Sequence, residues 1–365
     1  MRLRPTVAVV DLGAIRHNAG VLKPAGAGLM AVVKADGYGH GAAQVARAAL
    51  QGGATWLAVA LVEEGLALRE AGLEAPILLL SEAPPGAEAL AVAARLTPTI
   101  YTETALARLA AVARGAPIAV HVKVDTGMHR VGVWPAEDTV AFLLRVREQG
   151  LEVEGLWTHF ASSEDDPGTT AAQVALFSVV VDAARAAGVG PSIVHAANSA
   201  ATILHPETHF DMVRSGIALY GVPPAPGVGA DLGLEPALSW RTEVASIKRL
   251  RAGERLSYNL RYAMPADGWV ATVPVGYADG YPRRASGSAS VLIGGERRPV
   301  AGTVTMDQMM VDLGERRAAP GDEVVVLGRQ GDKRIDAWDV AGWAGTIGYE
   351  VLTGVGARVP REYVG

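Results

Sequence analysis

Residues 29–41 read Leu29-Met30-Ala31-Val32-Val33-Lys34-Ala35-Asp36-Gly37-Tyr38-Gly39-His40-Gly41. An uninterrupted apolar run leads directly into a lysine and then into a glycine-rich turn. Such a run, closed by a turn, is the pattern of a strand buried on both faces, as in a parallel sheet.

The same pattern repeats down the chain. Strand-type runs over 29–33, 56–60, 77–80, 97–100, 118–124, 153–158, 193–195 and 211–214 alternate with Ala/Leu-rich amphipathic stretches. Those helical stretches cover 42–50, 63–70, 87–95, 104–114, 138–148 and 170–187. Strands separated by helices point to an α/β class, an N-terminal (β/α)8 TIM-like barrel. A doubly wound open sheet gives much of the same pattern, and Pro98 is an awkward residue inside its strand. After residue 230 the segments 242–249, 269–275, 289–293, 298–304, 309–312 and 323–328 are rich in Val, Ile and Thr and parted by Gly/Pro/Asp turns. They predict a C-terminal, mainly antiparallel β domain. Only 336–346 reads as helical there, with Asp336 as its cap. The Pro/Gly-rich stretch 222–233 serves as linker, which divides the chain into 11–230 and 231–365. A strand over 6–10 precedes the barrel, and residues 1–10 are expected to join the second domain.

Bulk composition agrees with two domains, since 365 residues exceed what one core usually spans. Half the residues are hydrophobic and 19% are charged, a fold-competent balance. A net charge of −5 argues against nucleic acid as a partner. With no cysteine, disulfides, thiol nucleophiles and Cys-ligated zinc are excluded, and no metal is expected. The N-terminus lacks the pattern of a signal peptide and no apolar run is long enough to span a bilayer, so a cytoplasmic protein without membrane attachment is expected.

Lys34 ends a barrel strand, where barrel enzymes place catalytic groups. Desolvation there lowers an amine's pKa and suits Schiff-base chemistry; taken alone, Lys34 reads more readily as an exposed surface lysine. On a strand, His121, Lys123 and Asp125 share one face, and a charged inward face is costly unless it lines a site. Asn198-Ser199 reads as a helix cap, and with Gly216-Ile217 it forms an anion cradle after the last two barrel strands, where barrels commonly bind phosphate.

The stretch 31–41 resembles the lysine signature of the alanine racemase family, barrel-type (fold-type III) enzymes that use pyridoxal 5′-phosphate (PLP). Further motifs share that resemblance along most of the chain: 121–132 (HVKVDTGMHRVG), 157–161 (WTHFA), 195–201 (HAANSAA), 213–221 (VRSGIALYG), 256–262 (LSYNLRY), 275–281 (VGYADGY), 302–308 (GTVTMDQ), 346–351 (TIGYEV) and 358–361 (RVPR). The resemblance implies that Lys34 carries the cofactor as a Schiff base and that Lys34 and Tyr258 are the two catalytic bases, one for each face of the substrate. It implies Tyr38, Asn198, Ser199, Gly216, Ile217 and Tyr349 around the phosphate region, His159 against the ring, and Arg214 at the ring nitrogen. Arg130, Tyr277, Met306 and Asp307 are implied around the substrate. The family's lysine at the Lys123 position is often carbamylated; an ordinary Lys123–Asp125 ion pair is the alternative. Asn259-Leu260 replaces the family's common Gly-Ala, and Thr305 replaces its frequent cysteine.

Interconversion of L- and D-alanine, supplying D-alanine for peptidoglycan, is the implied function, in a homodimer whose subunits share active sites. A broader-specificity racemase is the nearest alternative. Arg214 speaks against a barrel-type decarboxylase, because arginine only donates and leaves the ring nitrogen unprotonated. The second domain speaks against a lone-barrel PLP-binding protein.

Overall fold

The computed structural model describes residues 4–113 and 117–365, so Arg114, at the end of the 104–114 helix reading, lies outside the described residues, as do residues 1–3. The chain divides into two compact units, one comprising Ala14–Gly37 and Ala42–Glu235, the other Met1–Gly13, Tyr38–Gly41 and Pro236–Gly365.

Strand β1 (Val7–Asp11) belongs to the second unit, and the first unit is built on β2 (Gly28–Val32), β3 (Trp56–Val59), β4 (Ile77–Leu79), β5 (Thr99–Ile100), β6 (Ala119–Lys123), β7 (Glu152–Trp157), β8 (Ile193–His195) and β9 (Met212–Ser215). They pair in the order β4-β3-β2-β9-β8-β7-β6-β5, all parallel where a ladder forms. First and last strands are neighbours, and a bridge between Leu78 and Thr97 links the two remaining ends. A near-closed barrel therefore replaces the open-sheet alternative. The ladder of β5 is only two residues long and starts after Pro98, whose missing N–H cannot donate to it. The strands are apolar throughout because both faces are covered: Leu29, Met30, Ala31, Leu57, Ala58, Val59, Ile77 and Leu78 are fully buried. Each such Leu or Ile stabilises the barrel by about 1.5–3 kcal/mol relative to exposure.

Helices lie between the strands as expected, with small shifts at their ends. The stretch expected at 170–187 begins earlier, at Pro167–Ala186, because Asp166 accepts from Thr169 N and Pro167 occupies the first turn. A helix over Leu12–Leu22 was not anticipated; its apolar side is only Ala14, Ile15, Ala19 and Leu22.

In the second unit, a seven-stranded sheet runs Glu296–Pro299, Ser290–Ile293, Glu323–Gln330, Leu238–Glu243, β1, Arg361–Val364, with Lys333–Ile335 paired to Glu323–Gln330. A three-stranded sheet joins Ser246–Leu250, Gly268–Val273 and Met309–Gly314. All these pairings are antiparallel except β1 with Arg361–Val364. Several expectations are corrected. The single strand over 242–249 is two strands in different sheets, broken at Val244-Ala245. Only 298–299 of the expected 298–304 strand is in a ladder, since Val300 makes an isolated bridge and 301–304 turns. The helix 336–346 is Ala337–Ala344, capped by Asp336 as expected, but Gly348–Gly354 is a second helix that its two glycines concealed.

Candidate active site

Lys34 follows β2 directly, and the backbone there is strained. Ala35, Asp36 and Tyr38 take φ of 52°, 51° and 51°, with Gly37 at 60°. A left-handed turn costs roughly 1–2 kcal/mol per non-glycine residue. Several hydrogen bonds hold it: Gly37 N donates to Val33 O (2.9 Å), Ala42 N to Asp36 Oδ1 (2.9 Å) and Ala35 N to Glu64 Oε1 (2.6 Å). Glu64 Oε2 also accepts from Ala60 N at 2.8 Å, so one carboxylate ties two loops. Strain concentrated beside a half-buried lysine marks a functional site. Burial and the nearby charge of Arg130 lower the Lys34 pKa, against a smaller opposing pull from Glu64.

Around the ends of the barrel strands the structure brings Lys34, Lys123, Arg130, His159 and Arg214 into one electrostatic cluster. Lys123, at the end of β6, is 3% exposed, and its pKa is pushed down to about 7 by burial, then by Arg130 and Arg214. Its Nζ lies 4.5 Å from the Trp157 ring centroid and closes no ion pair with Asp125. Asp125 instead accepts from Gly127 N and His129 N, both at 3.0 Å. Both amides share Asp125 Oδ1, and the charge of Asp125 still raises the Lys123 pKa against the larger lowering causes.

Arg214, on β9, is 3% exposed, and burial pushes its pKa down to about 9. Nη1 donates to His195 Nδ1 at 3.0 Å, while Nη2 donates to Thr158 O (2.8 Å) and Ala196 O (2.9 Å). Nη2 also lies 3.3 Å from His159 Nδ1. Burial and these cations hold the His159 pKa well below its usual value, so the ring is neutral. Asn198 caps the helix Ser199–Leu204, accepting from Ala201 N at 2.9 Å, and Ser199 Oγ accepts from Gly216 N at 2.9 Å. Ile217 opens the one-turn helix Ile217–Tyr220 beside them. Ser199, Gly216 and Ile217 are thereby brought together, with the Ser199 hydroxyl already engaged by an amide.

A second group is assembled within the other unit. Tyr258 sits in the loop between the paired strands Arg255–Leu256 and Tyr262–Ala263, and Tyr262 at its end packs on a small core of Leu256, Met264, Val270 and Ala301. Ser257, Asn259 and Leu260 take φ of 69°, 58° and 51°. Asn259 explains how this chain dispenses with the family's glycine, because Asn visits the left-handed region more readily than most residues. Thr303 N donates to Ser257 Oγ at 2.8 Å, and a Cβ on Gly302 would lie 2.5 Å from Ser257 Cβ. Tyr277 N and Ala278 N donate to Thr305 O and Met306 O, each at 2.9 Å. A Cβ on Gly276 would lie 2.3 Å from Met306 O, so glycine permits that approach. Close backbone contacts therefore join the segments of Tyr258, Tyr277 and Met306, whose side chains are 68%, 39% and 53% exposed.

Asp307 pairs with Arg358 at 2.8 Å, and Arg358 lies 3.6 Å from the buried Asp279, which Arg4 grips with two hydrogen bonds of 2.6 Å. Tyr38 and Tyr349 have ring centroids 6.3 Å apart, and burial raises the Tyr38 pKa to about 12. Sequence reasoning missed Glu64, and treated Trp157 and His195 only as parts of motifs. For His121 a signal existed in the period-two alternation of its strand. Glu64 lies on a helix and carries none.

Among the described residues no cluster of metal ligands occurs, and no helix is long and apolar enough to cross a membrane. Comparison with known proteins gives concordant matches. The family profile "Alanine racemase, N-terminal domain" matches residues 10–224 and "Alanine racemase, C-terminal domain" matches 237–363. An alanine racemase of Symbiobacterium thermophilum is 49% identical, with 100% of this chain and 98% of the relative covered. One of Frankia casuarinae is 47% identical, covering 98% and 96%. Among solved structures, alanine racemase from Streptomyces coelicolor A3(2) superposes with a TM-score of 0.94 at 44% identity, covering 99% of this chain and 98% of that one. With both profiles matched in order and relatives alike from end to end, the chain belongs to the alanine racemase family.

Proposed function

We propose that this protein is an isomerase that interconverts L- and D-alanine with PLP, using Lys34 and Tyr258 as its two bases. The observation that carries this reading is the barrel cluster itself. Lys34, Lys123, Arg130 and Arg214 converge, with Glu64 acting on Lys34 and Asp125 on Lys123 as opposing charges. Such a site favours an anionic occupant bearing phosphate and carboxylate groups.

The donor set supports PLP. Arg214 has both terminal nitrogens engaged by protein acceptors, which leaves Nε–H and one Nη1–H as further donors. It would hold the ring nitrogen without protonating it, since a guanidinium only donates. Lys34 would carry the cofactor, His159 would lie against the ring, and Tyr38, Asn198, Ser199, Gly216, Ile217 and Tyr349 would serve the phosphate region. PLP, when bound, supplies an electron sink that acidifies the α-hydrogen of an amino acid. Lys34 Nζ then takes or returns that proton on one face of the substrate, and Tyr258 Oη does so on the other. Its lowered pKa keeps a larger fraction of Lys34 in the free-base form. Arg130 holds the substrate side of the barrel, and Tyr277, Met306 and Asp307 line the approach.

Lys123, its pKa pushed down to about 7 by burial, is suited to carbamylation: its nitrogen bonds to the carbon of CO2 and releases a proton to solvent. The resulting anion would orient Arg130. We assign the cofactor's attachment and ring to residues 11–230, with Tyr349 of 231–365 added at the phosphate, and the Tyr258 group to 231–365 with strand 1–10. The protein acts in the cytoplasm as a homodimer with shared sites, and D-alanine for peptidoglycan is its product. The test is a coupled assay of D-alanine formation from L-alanine by wild type and Lys34→Ala. The reading fails if PLP-loaded wild type turns over no alanine, or if Lys34→Ala keeps the absorbance of lysine-bound cofactor.

A further inference from the structure

We infer that His195 and His121 form a one-way hydrogen-bond relay that holds Arg214 and ends against the charge of Glu154, and that His121 and Glu154 are positioning residues for the group Arg214 serves. Arg214 Nη1 lies 3.0 Å from His195 Nδ1. A guanidinium only donates, so that ring nitrogen is bare and the proton of neutral His195 sits on Nε2. His195 Nε2 lies 2.8 Å from His121 Nδ1, which must in turn be the acceptor. The His121 proton is then on Nε2, which has no hydrogen-bond partner and faces the Glu154 carboxylate, with Oε2 at 3.4 Å, as an electrostatic contact. One end of the relay can only donate and the other can only accept, so both tautomers follow without reference to any ligand.

The arrangement is built into four successive barrel strands. His121 lies on β6, Glu154 on β7, His195 on β8 and Arg214 on β9. His121 pairs in register with Gly155, and a Cβ there would lie 2.3 Å from His121 Nδ1. Only glycine leaves room for the imidazole. Trp157 stacks on His195 with planes 10° apart and centroids at 5.6 Å. Both histidines are fully buried, and burial, then Arg214, lowers the His195 pKa; burial also lowers that of His121 against a raising pull from Glu154, and the rings stay neutral. Arg214 itself has no carboxylate among its hydrogen-bond partners. The relay gives it one at a distance, through two polarised rings. Two buried histidines serving only to fill space would need neither fixed tautomers nor a carboxylate at the end.

The consequence for turnover rests on the proposed function; the relay does not. The test uses PLP-loaded, 15N-histidine-labelled full-length protein, read by long-range 15N–1H correlation with His121→Gln and His195→Gln as assignments. Wild type is expected to show both rings neutral with the proton on Nε2. Glu154→Gln, whose amide oxygen still accepts, should keep both tautomers and most of kcat. Glu154→Leu should scramble the His121 tautomer and lower kcat for alanine at least fivefold, with KM changed less than twofold. Gly155→Ala should do the same without altering any titratable group. A charged ring or an Nδ1–H tautomer in wild type overturns the relay. An unchanged His121 tautomer in Glu154→Leu overturns its link to Glu154. A scrambled tautomer with unchanged kcat, or a lowered melting temperature alone, overturns the positioning role. Wild type inactive on alanine refutes the proposed function and leaves the tautomer arm readable.

Discussion

The two groups of proposed site residues are built on opposite principles. In the barrel, Lys34, Lys123 and Arg214 stand on or just after strands, are mostly buried, and have pKa values displaced by burial and by one another. In the other unit, Tyr258, Tyr277 and Met306 stand on loops and are exposed, and their positions are fixed by backbone contacts at glycines. A rigid interior can shift the chemistry of a group, because desolvation acts only where water is excluded. An exposed loop can place a group but leaves its intrinsic chemistry nearly intact. Substitutions in the barrel group should therefore disturb chemistry and stability together, and those in the loop group chemistry alone.

The largest effect should come from Lys34→Ala, with racemisation lost by at least about 10³-fold, since a base and the cofactor attachment disappear together. Tyr258→Phe separates the two groups most cleanly. It should lose about 10²–10⁴ in racemisation, the usual range for one general acid/base. In D2O it should still exchange the α-hydrogen of one enantiomer, the one that faces Lys34, and its melting temperature should stay within about 1 °C. Equal loss of exchange for both enantiomers would break the two-base assignment.

Gly276→Ala tests whether the loop group depends on backbone approach. The added Cβ meets the Met306 carbonyl, so destabilisation of about 1–3 kcal/mol by denaturant unfolding is expected, as for overpacking elsewhere. The barrel group should show its own signature in pH. Lys123 titrates near 7 when folded and near about 10.4 when unfolded. Between those values the unfolded chain binds more protons, so apo-protein stability in CO2-free buffer should rise with pH across that window. Lys123→Met should flatten the rise. The smallest effect is expected of Asn259→Gly, within about 0.5 kcal/mol, because Asn already tolerates the left-handed φ there.

Much of this was legible in the sequence for a physical reason. Parallel strands buried on both faces must be continuously apolar, so runs such as 56–60 and 193–195 announce themselves. The second unit was harder to read. At Val244-Ala245 the chain passes from one sheet to another with no break in β propensity, and no local pattern marks that change. Gly348–Gly354 hid behind residues that disfavour helices in isolation. For the site, motif resemblance located Lys34, Arg214 and Tyr258, whereas Glu64 and Glu154 look like ordinary surface acids until the fold closes around them.

Sequence alone determined the barrel strands, the lysine that ends the first of them, and the residue types gathered at the strand ends. Those follow from local periodicity and from which side chains can do the chemistry. Tertiary structure decided that the barrel closes through Leu78 and Thr97, that Ser199 Oγ meets Gly216 N, and that Arg214 meets His195. Each of these is a contact between residues far apart in the chain, where distance and the competition for a partner exist only after folding.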